Sequence, residues 1–209
     1  MFNVFRGEES PEPPKEKHEI PFDDERFFSV ESSKKKRAEV MLKDKSGAIV
    51  LDFATLLPPK YNFELGANWL SDHTRKVIHI GPWNTGRDAL GLLHEIGHGW
   101  NEKDQIHLFN ASYHYNRSLI DRRMSPEEKE AAAKELKQAV LASERNACAW
   151  ALKESRDVRR GKNVDFLKDF EDVRELREYI DYFLGGYERL VEKVRESELP
   201  YAGLMSAQE

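Results

Sequence analysis

Two histidines four residues apart, with a glutamate directly after the first, stand in the segment Leu92-Leu93-His94-Glu95-Ile96-Gly97-His98-Gly99-Trp100. On a helix, side chains at i and i+4 leave the same face one turn apart, so both imidazoles can reach a single ion. Imidazole suits zinc, and a catalytic zinc commonly takes three protein ligands and leaves a fourth position to water. The metal lowers the pKa of that water from 15.7 to roughly 7. Glu95, next to the first ligand, is placed to receive the proton as general base. The chemistry expected of the segment is hydrolysis at a Zn2+ ion held by His94 and His98.

Such a site needs a third protein ligand. Glu144 is the preferred residue, in Ser143-Glu144-Arg145-Asn146-Ala147-Cys148-Ala149-Trp150-Ala151. On a helix Glu144, Ala147, Cys148 and Ala151 share a face, and small neighbours let that helix lie close enough for a carboxylate to reach a metal. Asp104, six residues after His98, is an alternative that needs a tight turn at Asn101, where glycine adopts the left-handed geometry more easily. His107 and His114 are alternatives that would ligate through a loop. The polar-aromatic group His107, Tyr113, His114 and Tyr115 is the richest nearby source of an oxyanion donor. Cys148, flanked by Ala147, Ala149 and Trp150, reads as a buried and unreactive thiol.

The elements that must position these residues follow from patterning. Residues 1–22 carry Pro11, Pro13, Pro14 and Pro21 among charged residues and read as a disordered tail. Order is expected from about Phe27. Residues 40–42 and 48–53 read as strands around a turn containing Gly47, and 63–70 with 76–80 as a second pair. The active-site helix should run from about Gly86 to Trp100 behind an N-cap at Thr85. A further helical segment is expected from about Phe109 to Arg123. Ser125-Pro126-Glu127-Glu128 has the signature of a capping box and opens a helix to about Arg160, stopped by Gly161. Helices at 164–184, ending at Gly185-Gly186, and at 187–197 complete the chain. Phe166, Phe170, Val173, Leu176, Ile180 and Phe183 form one expected buried stripe. Hairpins first and helices afterwards make an α+β pattern: a tail at 1–22, one domain at 23–160, and a helical extension at 161–209 packed on it.

Composition narrows the class. The 209 residues are 39% hydrophobic and 34% charged, with a net charge of −5, so a core can form, and direct nucleic-acid binding is not expected. The one dense basic run, Lys34 to Arg37, reads as a solvated loop. A single cysteine excludes an internal disulfide and fits a reducing compartment. No leader with an apolar core and no membrane-spanning run is apparent, so the expected location is cytoplasmic.

The two motifs together, His94-Glu95-Ile96-Gly97-His98 and Glu144-Arg145-Asn146-Ala147 followed by Trp150-Ala151, resemble those of the ImmA/IrrE-type metallopeptidases. The resemblance spans roughly residues 38–155. It implies a zincin-like (gluzincin-like) fold, with Glu144 as third zinc ligand on a later helix. It also implies limited proteolysis of a protein substrate such as a transcriptional repressor. Three departures stand out: neither end shows a helix-turn-helix pattern, the stretch between His98 and Glu144 is long, and the helices after Gly161 have no clear family counterpart. A substrate peptide is expected to add to the sheet edge near residues 76–81. Two other functions fit the same motifs. One is a catalytically weak or inactive zincin-fold module that acts by binding a protein. The other is a DNA-associated peptidase of the SprT-like kind with a later histidine as ligand, disfavoured by the acidic balance and the lack of a cysteine-rich ribbon.

Overall fold

The structure, a computed structural model, describes residues 17–32, 37–83, 85 and 87–197. It is α+β: among the described residues seven strands, with a short 3-10 turn at Phe53–Leu56 after the fourth, precede four α-helices. The strands are β1 (Lys17–Pro21), β2 (Arg26–Ser32), β3 (Arg37–Asp44), β4 (Ile49–Asp52), β5 (Asn62–Leu65), β6 (Leu70–Asp72) and β7 (Val77–Ile80). They form one sheet in the order β1-β2-β3-β5-β7-β6, with β4 also paired to β3. The β3–β4 hairpin expected around Gly47 is present and antiparallel.

Three expectations about the sheet need correction. The reading of residues 1–22 as a tail overlaps a strand at Lys17–Pro21; residues 1–16 and most of the basic run at 34–37 lie outside the described residues. Charged, exposed Lys17 and Glu19 hid β1, as is usual for an edge strand, where charge discourages further pairing. The second expected pair also differs: β5 and β7 are parallel, and the antiparallel partner of β7 is the short β6. Because β7 is paired on both sides, residues 77–80 offer no free edge, and among the described residues β6 is the terminal strand on that side, opposite β1.

The helices are α1 (Asp88–Trp100), α2 (Glu102–Ile120), α3 (Pro126–Lys162) and α4 (Val173–Glu196). Ser125 and Glu128 do form a capping box, the Ser125 hydroxyl accepting from Glu128 N and the Glu128 carboxylate accepting from Ser125 N. Gly161 is not the stop of α3. The helix passes through it and ends at Asn163, which takes the left-handed conformation at φ 55°. The expected helix at 164–184 starts only at Val173, where the Asp172 carboxylate caps Glu175 N, and α4 then runs on through Gly185-Gly186.

Apolar residues of the sheet face α1, α3 and the 164–170 turn. Phe28, Phe53, Leu92, Leu93, Ile96 and Phe166 are fully buried there, and Phe166 packs against the rings of Phe22, Phe28 and Phe53. The expected stripe splits accordingly. Phe166 and Phe170 are core, Leu176 and Ile180 are half-buried, Val173 is 81% exposed, and the Phe183 side chain lies outside the description. A second cluster, with Tyr115, Leu136, Val140, Val191 and Val194, ties α2, α3 and α4 together. No helix among the described residues is long and apolar enough to cross a membrane.

Candidate metal centre

Helix α1 owes its position to an apolar face made by Ala89, Leu90, Leu92, Leu93 and Ile96, all buried. The helix spans Asp88–Trp100, the expected start at Gly86 lies outside the described residues, and Thr85 does not cap the helix with its side chain. Instead the Asp88 carboxylate accepts from Thr85 N at 2.8 Å. Once the apolar face is fixed against the core, His94 and His98 leave α1 together toward α3.

Helix α3 meets them with Glu144. The His94 Nε2 atom lies 3.0 Å from Glu144 Oε2 and 3.1 Å from His98 Nε2. His98 Nε2 is 3.4 Å from the same carboxylate oxygen. These three side chains are the group of potential metal ligands found among the described residues. His98 and Glu144 are buried and His94 nearly so. Four donors held 2.0–2.1 Å from a tetrahedral zinc lie about 3.3 Å from one another, and the three separations here cluster around that value.

The other ring nitrogens complete the fit. His98 Nδ1 is 3.3 Å from the Ser143 hydroxyl, which also accepts from Gln105 Nε2. His94 Nδ1 is 3.4 Å from Cys148 Sγ. An N–H engaged at Nδ1 fixes the ring and leaves the Nε2 lone pair for a metal. The donor set of two imidazoles and one carboxylate therefore suits a divalent ion such as zinc.

Without an ion the centre is internally charged. Burial works against an ionised Glu144, but the hydrogen bonds from His94 and His98 outweigh it and hold the carboxyl down at about 2. Burial would also depress His94, yet the Cys148 and Glu144 contacts raise it well above the ordinary histidine value. A bound cation would take the place of that proton.

Glu95 is buried and borders two cavities, which also share Trp69 and Tyr187. The more polar one also meets His73, His79, His98, Gln105 and Ser143. Its His73 is pushed down to about 4, first by burial and then by nearby His98 and Lys76, and its Nδ1 meets the Tyr61 hydroxyl at 2.8 Å.

The alternatives for the third ligand lie elsewhere. Asp104 accepts from Asn146 Nδ2 at 2.8 Å and so clips α2 to α3; Asn101 has φ −96° and does not make the left-handed turn that would redirect it. His107 is exposed on α2, and His114 faces Glu135 at 3.4 Å on the surface. Nor does the expected oxyanion group converge: Tyr113 is exposed, and Tyr115 is buried with its hydroxyl donating to the Val194 carbonyl. Cys148, expected to be buried, is only half-buried, and its sulfur lies 3.4 Å from His94 Nδ1.

Sequence reasoning missed Ser143, Gln105, His73, Trp69 and Tyr187 as neighbours of the site. Only Ser143 had a signal, being adjacent to Glu144. No family model matches the chain, and no curated protein or solved structure matches it.

Proposed function

We propose that the chain is a zinc-dependent metallopeptidase with a zincin-like fold, similar in its site to the ImmA/IrrE type, and that it cleaves a peptide bond in a protein substrate. The observation that carries the reading is the convergence of His94 Nε2, His98 Nε2 and Glu144 Oε2 at separations of 3.0–3.4 Å, with Glu95 beside them facing two cavities.

His94, His98 and Glu144 would hold the ion, and Ser143 and Cys148 would hold the two imidazoles in the ligating tautomer. Zinc there would supply a Lewis acid and a water acidic enough to ionise near neutral pH. Glu95 accepts a proton from the attacking water and passes it to the leaving amine. The substrate main chain adds to the edge of β6, residues 70–72, which is terminal among the described residues and adjoins α1, rather than to β7. Membership of a reducing cytoplasmic compartment fits the lone Cys148.

The test is hydrolysis of a degenerate peptide library by zinc-reconstituted protein, wild type beside Glu95→Gln. Loss of a general base should cost roughly 10²–10⁴-fold with metal content unchanged. Equal hydrolysis by the variant would refute the role of Glu95. Metal binding without any hydrolysis in the wild type would favour the protein-binding alternative.

A further inference from the structure

The second cavity that Glu95 borders has a volume of about 110 Å³ and lies between α1, α3 and α4. It shares His94 and Glu95 with the metal centre, and its remaining walls are largely apolar, with Leu90, Leu152, Tyr179 and Ile180 among them. One residue of α1 opens it. A Cβ built on Gly91 would meet nothing within 4 Å, whereas one on Gly97 would stand 2.9 Å from the Ala147 carbonyl oxygen. Gly97 is therefore demanded by helix packing, and Gly91 is not. Gly91 does not adopt a positive φ either. Glycine inside a helix is less favourable than alanine, because it loses more backbone freedom and packs nothing. What the chain gains at position 91 is the empty space beside Glu95, which Cys148 and Ala151 on α3 also leave unfilled.

Resting on the peptidase reading, we infer that this cavity is the specificity pocket for a residue flanking the scissile bond. It accepts an aliphatic side chain of leucine or methionine size, and Gly91 is its specificity-determining residue. Size argues for the aliphatic occupant, since an apolar cavity of about 150 Å³ is what holds a benzene ring. Charge argues the same way. The two acids on the walls are Asp88, engaged by the Thr85 backbone, and Glu95, the base of the proposed reaction, so a basic side chain has no dedicated counter-ion.

The test is a titration of the full-length protein, both metal-free and zinc-loaded, with N-acetyl-L-leucinamide, N-acetylglycinamide and N-acetyl-L-lysinamide. The Trp69 and Tyr179 ring resonances serve as reporters. The leucine amide should bind about tenfold more tightly than the other two in both metal states, the value expected for burying such a side chain. Gly91→Leu should abolish that preference. Gly91→Ala should weaken it while raising the melting temperature, which separates a filled pocket from a misfolded protein. Leucine amide binding no tighter than glycine amide, tightest binding by the lysine amide, or undiminished preference in Gly91→Leu would each overturn the inference. Because the metal-free titration needs neither zinc nor turnover, failure of the pocket is distinguishable from failure of the peptidase reading.

Discussion

Gly97 and Ala147 touch backbone to backbone: a methyl group on Gly97 would stand 2.9 Å from the Ala147 carbonyl oxygen and 3.3 Å from Trp150 Cβ. Helices α1 and α3 approach this closely only because both positions carry almost no side chain. Glu144 lies one turn before Ala147 on the same face. The short distance between the helices is what brings its carboxylate within 3.0 Å of His94 Nε2.

Gly97→Ala should therefore act on stability and on metal at once. Forcing a methyl into this contact is overpacking, which typically costs about 1–3 kcal/mol, and the helices can relieve it only by withdrawing Glu144. Chemical denaturation and zinc affinity should both fall in the variant. A stable Gly97→Ala protein with unchanged affinity would show that the contact does not set the ligand.

The opposite sign is expected at Gly91. Its Cβ has open space, so Gly91→Ala should gain helix propensity of about 0.8–1.0 kcal/mol. Urea denaturation of metal-free protein reads this directly, and a destabilised variant would mean that the space is not open.

Ser143→Ala removes the hydroxyl that meets His98 Nδ1. Losing a partner that orients a ligand typically costs about 10–100-fold in metal affinity. Competition against a zinc chelator measures it. The fold should survive, because Ser143 lies in the middle of α3, where alanine is the better helix former.

Zinc uptake should release a proton and strengthen as pH rises. In the metal-free centre Glu144 is already ionised, held at about 2, while His94 is raised well above the ordinary histidine value and keeps its proton near neutrality. The ion must displace that proton, so below the raised His94 value affinity should climb by about tenfold per pH unit for each proton released. An unbuffered titration counts the protons; none released would contradict the charged pair.

His73 makes a separate prediction for metal-free protein. Its folded value is lowered from 6.5 to about 4, so the unfolded chain binds more protons between those limits. Its contribution is present above pH 6.5 and is lost as pH falls toward about 4. Denaturant midpoints across that window should fall less steeply in His73→Gln than in wild type.

The parts of this architecture that were legible in the sequence are those with local causes. The i, i+4 histidines, the small-residue face around Glu144 and the Ser125–Glu128 box depend on neighbours within one or two turns. What was illegible depends on partners distant in the chain. Nothing local says that residues 62–65 pair in parallel with 77–80, or that the charged residues 17–21 take the edge beside β2. Asn163 rather than Gly161 ends α3 because the buried Val164 and Phe166 that follow must turn back into the core. The α4 helix crosses Gly185-Gly186 because Val191 and Val194 hold its far end against α2 and α3. Apolar spacing suggested a helix at 164–172, but those residues are short turns anchored by Phe166 and Phe170.

The central claim is that His94, His98 and Glu144 hold one metal ion. Metal content of the purified, zinc-dialysed protein tests it most directly, wild type beside Glu144→Ala and Asp104→Ala. One zinc per chain is expected in wild type and in Asp104→Ala, and none retained in Glu144→Ala. A wild type that holds no zinc, or a Glu144→Ala variant that holds it as tightly, would mean that His94, His98 and Glu144 are not a metal site.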